Sequence, residues 1–188
     1  MKDKKISTDT IGIEKCTDEA AAPTLALVAE ETFTQAFGHL YKQEDLNLFL
    51  QKHHTAGNYR EHIADPASSV WLAREEDGKI VGYIVAGPCG LPAPNMPENS
   101  GELLRFYILD KYKGMGLGKR MLGLALDWLQ ENYAHLYLSV YAENHSAQRL
   151  YEYFGFEKIH KYMYMVGNQA DPEFIMKRRS SSDARKEV

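Results

Sequence analysis

Two hydrophobic periods follow one another along this chain, and their order constrains the fold more than any other feature. Apolar residues first recur at three-and-four spacing, over residues 25–37 and again over residues 46–50, which predicts two helices. Residues 59–64 add a helical turn or two. The pattern then changes to β-rich runs at Ser69–Arg74 and residues 79–88, joined by Asp77-Gly78. That pair suits a tight turn, so the two runs predict a hairpin.

The second half of the chain alternates between strand and helix patterns. The remaining elements are a first strand near residues 11–16, a strand at 102–109, a helix from about Gly118, a strand at His135–Tyr141, a helix at 146–154, and strands near 156–165 and 173–178. The order β-αα-β-β-β-α-β-α-β-β predicts an α/β (α+β) domain. Its central sheet is expected to be mixed but mostly antiparallel, with helices on both faces.

The length of 188 residues allows one well-packed domain, which we expect to span residues 11–179. Residues 1–10 are expected to be a flexible start and residues 180–188 a disordered tail. Residues 88–101 are rich in proline and glycine and predict a loop. A loop at this position could border a substrate entrance.

Composition excludes several classes of function. A net charge of -4 and a pI near 6.0 give no general attraction to nucleic acid. The first residues lack the apolar core of a secretory signal, and no apolar run approaches the ~20 residues of a membrane helix. The chain has two cysteines, Cys16 and Cys89, which suits a protein of the reducing cytoplasm. Neither the cysteines nor the seven histidines have the spacing of metal ligands, so no metal is expected. No histidine motif near Cys89 supports a Cys–His nucleophile.

A glycine-rich stretch, KGMGLGKR at residues 113–120, lies between the strand at 102–109 and the following helix. Glycines let the backbone approach a ligand closely, and the N–H groups that begin a helix attract anions. Lys113, Lys119 and Arg120 add positive charge suited to a diphosphate. The glycines are evenly spaced and no Ser or Thr follows Lys119, which excludes the dinucleotide fingerprint and the ATP-type loop. A merely flexible connection is the alternative.

This stretch resembles the [Q/R]-x-x-G-x-[G/A] signature of the GNAT N-acetyltransferase superfamily, with Lys113 in place of the usual Gln or Arg. Residues 102–108 are similar to the family's fourth strand, and residues 143–156 resemble its E-N-x-x-A-x-x-L-Y-x-x-x-G-F block. The resemblance implies acetyl-CoA as cosubstrate. The residues that it implies for binding the coenzyme are Phe106, Tyr107, Ile108, Lys113, Gly114, Met115, Gly116, Leu117, Gly118, Lys119, Asn144, Ala147 and Tyr151.

The two ends of the domain resemble the PaiA-type polyamine acetyltransferases, through residues 31–50 and residues 164–176. Similarity in such segments can reflect common ancestry and need not mean that the substrate is the same. The resemblance implies acetyl transfer to a primary amine, of a small polyamine or similar cation, by direct attack in a ternary complex. It also implies that a homodimer is common. Two alternatives stay open: the same fold acting on a protein N-terminus, a lysine, an amino acid or a drug, and a non-catalytic module that senses acetyl-CoA.

Two residues are candidates for catalysis. The resemblance implies that Tyr151 protonates the departing thiolate, although a tyrosine on a helix can equally be a packing residue. Glu102 is a candidate base for the incoming amine. An unburied glutamate has a pKa near ~4.3 and would be a weak base at neutral pH, so a solvated strand residue is the alternative. Asn144 is expected to contact the pantetheine arm, or to cap the helix that follows it.

Overall fold

The computed structural model describes residues 10–179, and a single seven-stranded sheet forms their centre. The strand order is β1-β2-β3-β4-β5-β7-β6, and every neighbouring pair is antiparallel except β4 with β5. The strands are β1 Gly12–Cys16, β2 Ser69–Arg74, β3 Ile80–Pro88, β4 Ser100–Ile108, β5 His135–Tyr141, β6 Phe156–Val166 and β7 Gln169–Arg178. The expected mixed, mostly antiparallel sheet is confirmed.

Five α-helices connect or flank these strands. They are α1 Ala22–Phe37, α2 Gln43–His53, α3 Ala56–Ala64, α4 Leu117–Asn132 and α5 His145–Tyr153. The helix α3 is longer than the turn or two expected, because Thr55 and Asn58 form a reciprocal capping box that satisfies its first N–H groups. Among residues 10–179, no helix is both long and apolar enough to cross a membrane.

Helices cover both faces of the sheet, as expected. On one face, α4 packs Met121, Leu122 and Leu126 into the larger apolar cluster, where each is at most 1% exposed. On the other face, α1 and α3 pack around Leu25 and Tyr59, which are fully buried. Burial of a large apolar side chain contributes roughly 1.5–3 kcal/mol, so these two layers fix the helices on the sheet.

A bulge in β4 changes which side chains face α1 and α3. Arg105 lies opposite Val85 of β3 and Leu103 lies opposite Ala86, so Leu104 is an extra residue on β4. Leu103 packs on the α4 face, whereas Leu104 and Tyr107 pack on the α1 face. The bulge therefore brings Glu102, Arg105 and Tyr107 to the same face, which strict alternation would not do.

The strands β4 and β5 separate at their carboxyl ends. Their parallel pairing covers only residues 100–103 of β4, ending with Leu103 opposite Leu138. Beyond this point β5 stays paired with β7, and β4 stays paired with β3. The edge of β4 that faces β5 is therefore open over residues 104–108, which leaves backbone groups available to a ligand.

Several boundaries differ from those expected from the sequence. The loop between β3 and β4 covers residues 89–99, because the N–H of Cys89 bonds to the carbonyl of Ser100 and extends the strand pairing around it. The strand β7 begins at Gln169 rather than near residue 173, because β6 pairs with it back to Val166 through a turn with Gly167 at φ +58°. The expectations for residues 1–9 and 180–188 lie outside the described residues.

Candidate functional site

A cavity of about 840 Å³ runs from the N-terminus of α4, through the gap between β4 and β5, to the α1 face of the sheet. It brings together most of the residues implied by the sequence. Those lining it are Glu102, Phe106, Tyr107, Ile108, Lys113, Gly114, Gly116, Gly118, Lys119, Asn144, Ala147 and Tyr151. The glycine stretch and the candidate catalytic side chains thus share one continuous space, although up to about 50 residues separate them in the chain.

The glycine stretch forms a turn that exposes backbone N–H groups to this cavity. Gly114 and Gly116 have φ values of +77° and +84°, a region that side chains other than glycine rarely adopt. A Cβ atom built on either residue would meet no atom within 4 Å, so the backbone borders open space. Gly116 is the N-cap of α4, and the positive end of that helix points at this space. The turn has the geometry of an anion cradle.

The three cations of this stretch differ in position. Lys113 lines the cavity, but its Nζ lies 2.6 Å from Oδ1 of Asp110 in an exposed ion pair. Lys119 also lines the cavity, and its Nζ lies 3.9 Å from the centre of the Tyr153 ring. Arg120 donates instead to the carbonyl of Ile11 and does not line the cavity. Backbone groups and Lys119 thus provide most of the positive potential here.

Met115 and Leu117, which the resemblance also implies for coenzyme binding, do not line the cavity. Leu117 is fully buried in the cluster beneath α4, and Met115 packs against the same cluster. These two residues alternate with Gly114, Gly116 and Gly118. The side chains of Met115 and Leu117 fix the turn on the apolar cluster, and the glycines between them line the cavity. The buried side chain of Leu117 therefore leaves only its backbone for contact with a ligand.

The helix α5 supplies two residues on the opposite side of the gap. Oδ1 of Asn144 accepts a hydrogen bond from the N–H of Ala147 over 3.1 Å, so Asn144 is the N-cap, and its side-chain amide nitrogen remains available to donate to a ligand. Tyr151 is 7% exposed and packs edge-on against Phe156. Burial, with a smaller contribution from the charge of Glu173, raises the pKa of the Tyr151 phenol. It therefore carries its proton at neutral pH.

Glu102 is not a solvated strand residue, so that alternative is wrong. It is 7% exposed, and its Oε2 accepts a hydrogen bond from the N–H of Gly90 over 2.9 Å. Burial raises the pKa of Glu102 to about 7, although the bond from Gly90 opposes the rise. Burial also raises the pKa of the neighbouring Cys89 thiol to about 11, which keeps it protonated and a poor nucleophile.

The sequence did not indicate the wall built by β6 and β7. Tyr164 lies opposite Asp171 and Tyr162 lies opposite Glu173, and all four line the cavity. The Tyr162 hydroxyl donates to Oε2 of Glu173 over 2.8 Å, and the Tyr41 hydroxyl of the α1–α2 connection donates to Asp171. The signal available in the sequence was two acids at two-residue spacing within a β-rich run, which places both on one face of a strand.

A cation also faces the cavity from the middle of β4. The guanidinium carbon of Arg105 lies 5.5 Å from the centre of the Tyr59 ring, and its Nη1 is buried without a hydrogen-bond partner among the described residues. Burial lowers the pKa of His54 to about 3, and the charge of Arg105 adds to the effect. Burial and the charge of Arg105 also lower the pKa of His62. Both histidines lining the cavity are therefore neutral at pH 7.

Comparisons with known proteins agree with this geometry. An uncharacterised N-acetyltransferase of Mycobacterium bovis is 28% identical over 163 residues, which cover 84% of this chain and 96% of that protein. The spermine/spermidine N(1)-acetyltransferase of Bacillus subtilis is 38% identical over 85 residues, 43% of this chain and 55% of that protein. The crystal structure of a PaiA N-acetyltransferase from Thermoplasma acidophilum in complex with coenzyme A superposes with a TM-score of 0.71 at 20% identity, covering 90% and 99% of the two chains.

The model of the acetyltransferase (GNAT) family matches residues 30–156. That match begins within α1 and ends at the start of β6, so it includes the bulged strand, the anion cradle and the helix that carries Tyr151. The chain therefore belongs to the GNAT family and is an acetyl-CoA-dependent acetyltransferase.

Proposed function

We propose that this enzyme acetylates a primary amine of a small organic cation, most readily a polyamine, by direct attack of the amine on acetyl-CoA in a ternary complex. The observation that carries the proposal is that Glu102, with its pKa raised to about 7, lies in the cavity that continues from the anion cradle. A buried carboxylate of this kind can accept a proton from an ammonium group near neutral pH.

The residues present fit the coenzyme. The N–H groups of the cradle at Gly114, Gly116 and Gly118 suit the pyrophosphate, and Lys119 adds charge at its edge. The open edge of β4 over residues 104–108 suits the amide groups of the pantetheine arm, which can pair with it as a strand would. Asn144, at the start of α5, lines the same cavity.

The side chains divide the proton transfers between them. Glu102 accepts the proton of the incoming ammonium, directly or through water, and leaves a neutral nitrogen that bonds to the acetyl carbon. Backbone N–H groups near Tyr107 and Ile108 stabilise the negative oxygen that develops. As the C–S bond breaks, the Tyr151 phenol gives its proton to the thiolate. The nitrogen bonded to the acetyl group then loses a second proton, which water can carry to the Tyr151 phenolate, and Glu102 releases its proton to solvent, so each turnover releases one proton.

The charge of the acceptor cavity supports a cationic substrate. Glu102, Asp171 and Glu173 line it together with the rings of Tyr41, Tyr107, Tyr162 and Tyr164. Carboxylates bind ammonium groups, and aromatic faces attract cations and pack against alkyl chains. The partial similarity to a spermine/spermidine acetyltransferase points in the same direction.

Arg105 favours a second candidate function, acetylation of an amino acid or a peptide. Its guanidinium faces the α3 side of the same cavity, and its Nη1 has no partner among residues 10–179. An acceptor that carries a carboxylate beside its amine could pair with this cation. The acidic side chains outnumber it, so we rank this candidate below a polyamine.

A panel of amines separates these candidates. Release of free thiol from acetyl-CoA is followed with spermidine, spermine, putrescine, lysine, ornithine, aminoglycosides and short peptides as acceptors. We expect the highest kcat/KM with the polyamines. A preference for the amino acids would favour the second candidate. Micromolar binding of acetyl-CoA without turnover of any amine would contradict both and favour a sensor of acetyl-CoA.

A further inference from the structure

Glu173 lies in the wall of the acceptor cavity that β6 and β7 build. It is on β7 opposite Tyr162 of β6 and Tyr141 of β5, whereas Glu102 is on β4, next to the open backbone edge. The strand β5 separates the two in the sheet, yet the negative charge of Glu173 contributes to the raised pKa of Glu102. The two carboxylates therefore share one space from different walls.

Two neutral hydroxyl groups hold the Glu173 carboxylate in place. Tyr162 donates to its Oε2 over 2.8 Å, and the Ser139 hydroxyl of β5 lies beside it and lowers its pKa. Both donors lie on neighbouring strands, which fixes the direction of the carboxylate toward the cavity. Hydroxyl donors orient a carboxylate but bring no compensating charge.

No basic side chain among the described residues forms an ion pair with Glu173. A largely buried carboxylate without a counter-charge costs free energy, and burial accordingly raises its pKa, with Asp171 adding a like charge. A cation that entered the cavity would remove this cost. The tyrosine rings around it would pack against the alkyl chain that carries such a cation.

We infer that Glu173 is a specificity-determining residue, which binds the second ammonium group of a diamine while Glu102 serves the amine that is acetylated. This inference rests on the function proposed above. The division of roles follows from position, because Glu102 lies on the strand whose open edge would hold the thioester, and Glu173 lies two strands further away. A diamine can contact both carboxylates at once, whereas a monoamine can contact only one.

The test compares putrescine with n-butylamine, which has the same carbon chain and only one amine. For the wild type we expect kcat/KM to be roughly tenfold or more higher for putrescine, the size of one hydrogen bond to a charged group. Glu173→Gln should remove this preference, because kcat/KM should fall much further for putrescine than for n-butylamine. The KM for acetyl-CoA should not change, since Glu173 is on β7 and is not part of the cradle at residues 113–119.

Two further variants keep the result interpretable. Tyr162→Phe removes one hydroxyl donor but keeps the ring, so it should reduce the diamine preference partway. Glu152→Gln, at an exposed acid on α5, should leave the preference unchanged.

If Glu173→Gln does not fold, a reduced preference in Tyr162→Phe supports the inference, and an unchanged preference in Tyr162→Phe overturns it. Equal losses for both amines, or none, in a folded Glu173→Gln would also overturn it. If the wild type acetylates no amine, the proposed function itself fails.

Discussion

The backbone N–H of Gly90 donates a hydrogen bond to Oε2 of Glu102 over 2.9 Å, which joins the loop after β3 to the carboxylate in the floor of the acceptor cavity. The bond favours the ionised carboxylate, while burial favours the protonated one and has the larger effect. The loop over residues 89–99 therefore helps to keep the pKa of Glu102 near neutrality rather than higher, where the base would rarely be ionised.

The rate of acetyl transfer should depend on pH through Glu102. Because the carboxylate accepts a proton only when ionised, kcat/KM should rise with pH through the pKa of Glu102 in the free enzyme, which is about 7. Glu102→Gln should lower kcat/KM by roughly 100-fold or more and remove this limb of the profile. Steady-state rates from pH 5.5 to 9, with the amine well below its KM, would measure both effects. A limb that persists in Glu102→Gln would assign the base to another residue.

Glu102 should also make stability depend on pH. Its pKa rises from an ordinary 4.5 to about 7 on folding, so the folded state binds more protons in that interval. The stability that this proton provides is complete below pH 4.5 and is lost as pH rises through 7, by up to ~3 kcal/mol. Urea unfolding at several pH values should show a smaller dependence in Glu102→Gln than in the wild type. Equal slopes in the two proteins would contradict the buried state of this carboxylate.

Loss of the Tyr151 hydroxyl should affect chemistry but not binding. The Phe ring in Tyr151→Phe keeps the packing against Phe156, so the fold and the affinity for acetyl-CoA should be preserved. Without a proton donor for the thiolate, kcat should fall by about 100-fold. Tyr153→Phe is the matched control, because Tyr153 is on the same helix but 68% exposed. Calorimetric titration and thiol release measure the two properties, and similar rates for both variants would remove Tyr151 from the mechanism.

Substitution of Gly116 should weaken coenzyme binding. In Gly116→Ala the new Cβ would occupy the open space of the cradle, and the φ of +84° costs an alanine about 1–2 kcal/mol. The control is Gly123→Ala in α4, where φ is helical and a Cβ meets no atom within 4 Å. That change should raise stability by roughly 0.5–1 kcal/mol and leave binding unchanged. Unaltered acetyl-CoA affinity in Gly116→Ala would argue against the cradle.

The sequence alone was sufficient for the order of elements and for the glycine turn that precedes α4. Both depend on local information: hydrophobic periods define helices and strands, and glycines at residues 114, 116 and 118 specify a turn whose backbone is exposed. We could name Tyr151, Asn144 and Glu102 as candidates because the segments that contain them resemble contiguous motifs of the GNAT superfamily. The capping box of α3 and the early start of β7 were missed, because they depend on a side-chain pair and on strand pairing.

Only the tertiary structure decided which side chains meet in the acceptor cavity. Glu102 and Glu173 are 71 positions apart, and their common space depends on the bulge at Leu104 and on the separation of β4 from β5. The raised pKa of Glu102 likewise comes from its burial in the folded domain, which outweighs the opposing bond from Gly90. Burial and charge proximity are properties of packing between distant segments, whereas periodicity and turn chemistry act over a few residues.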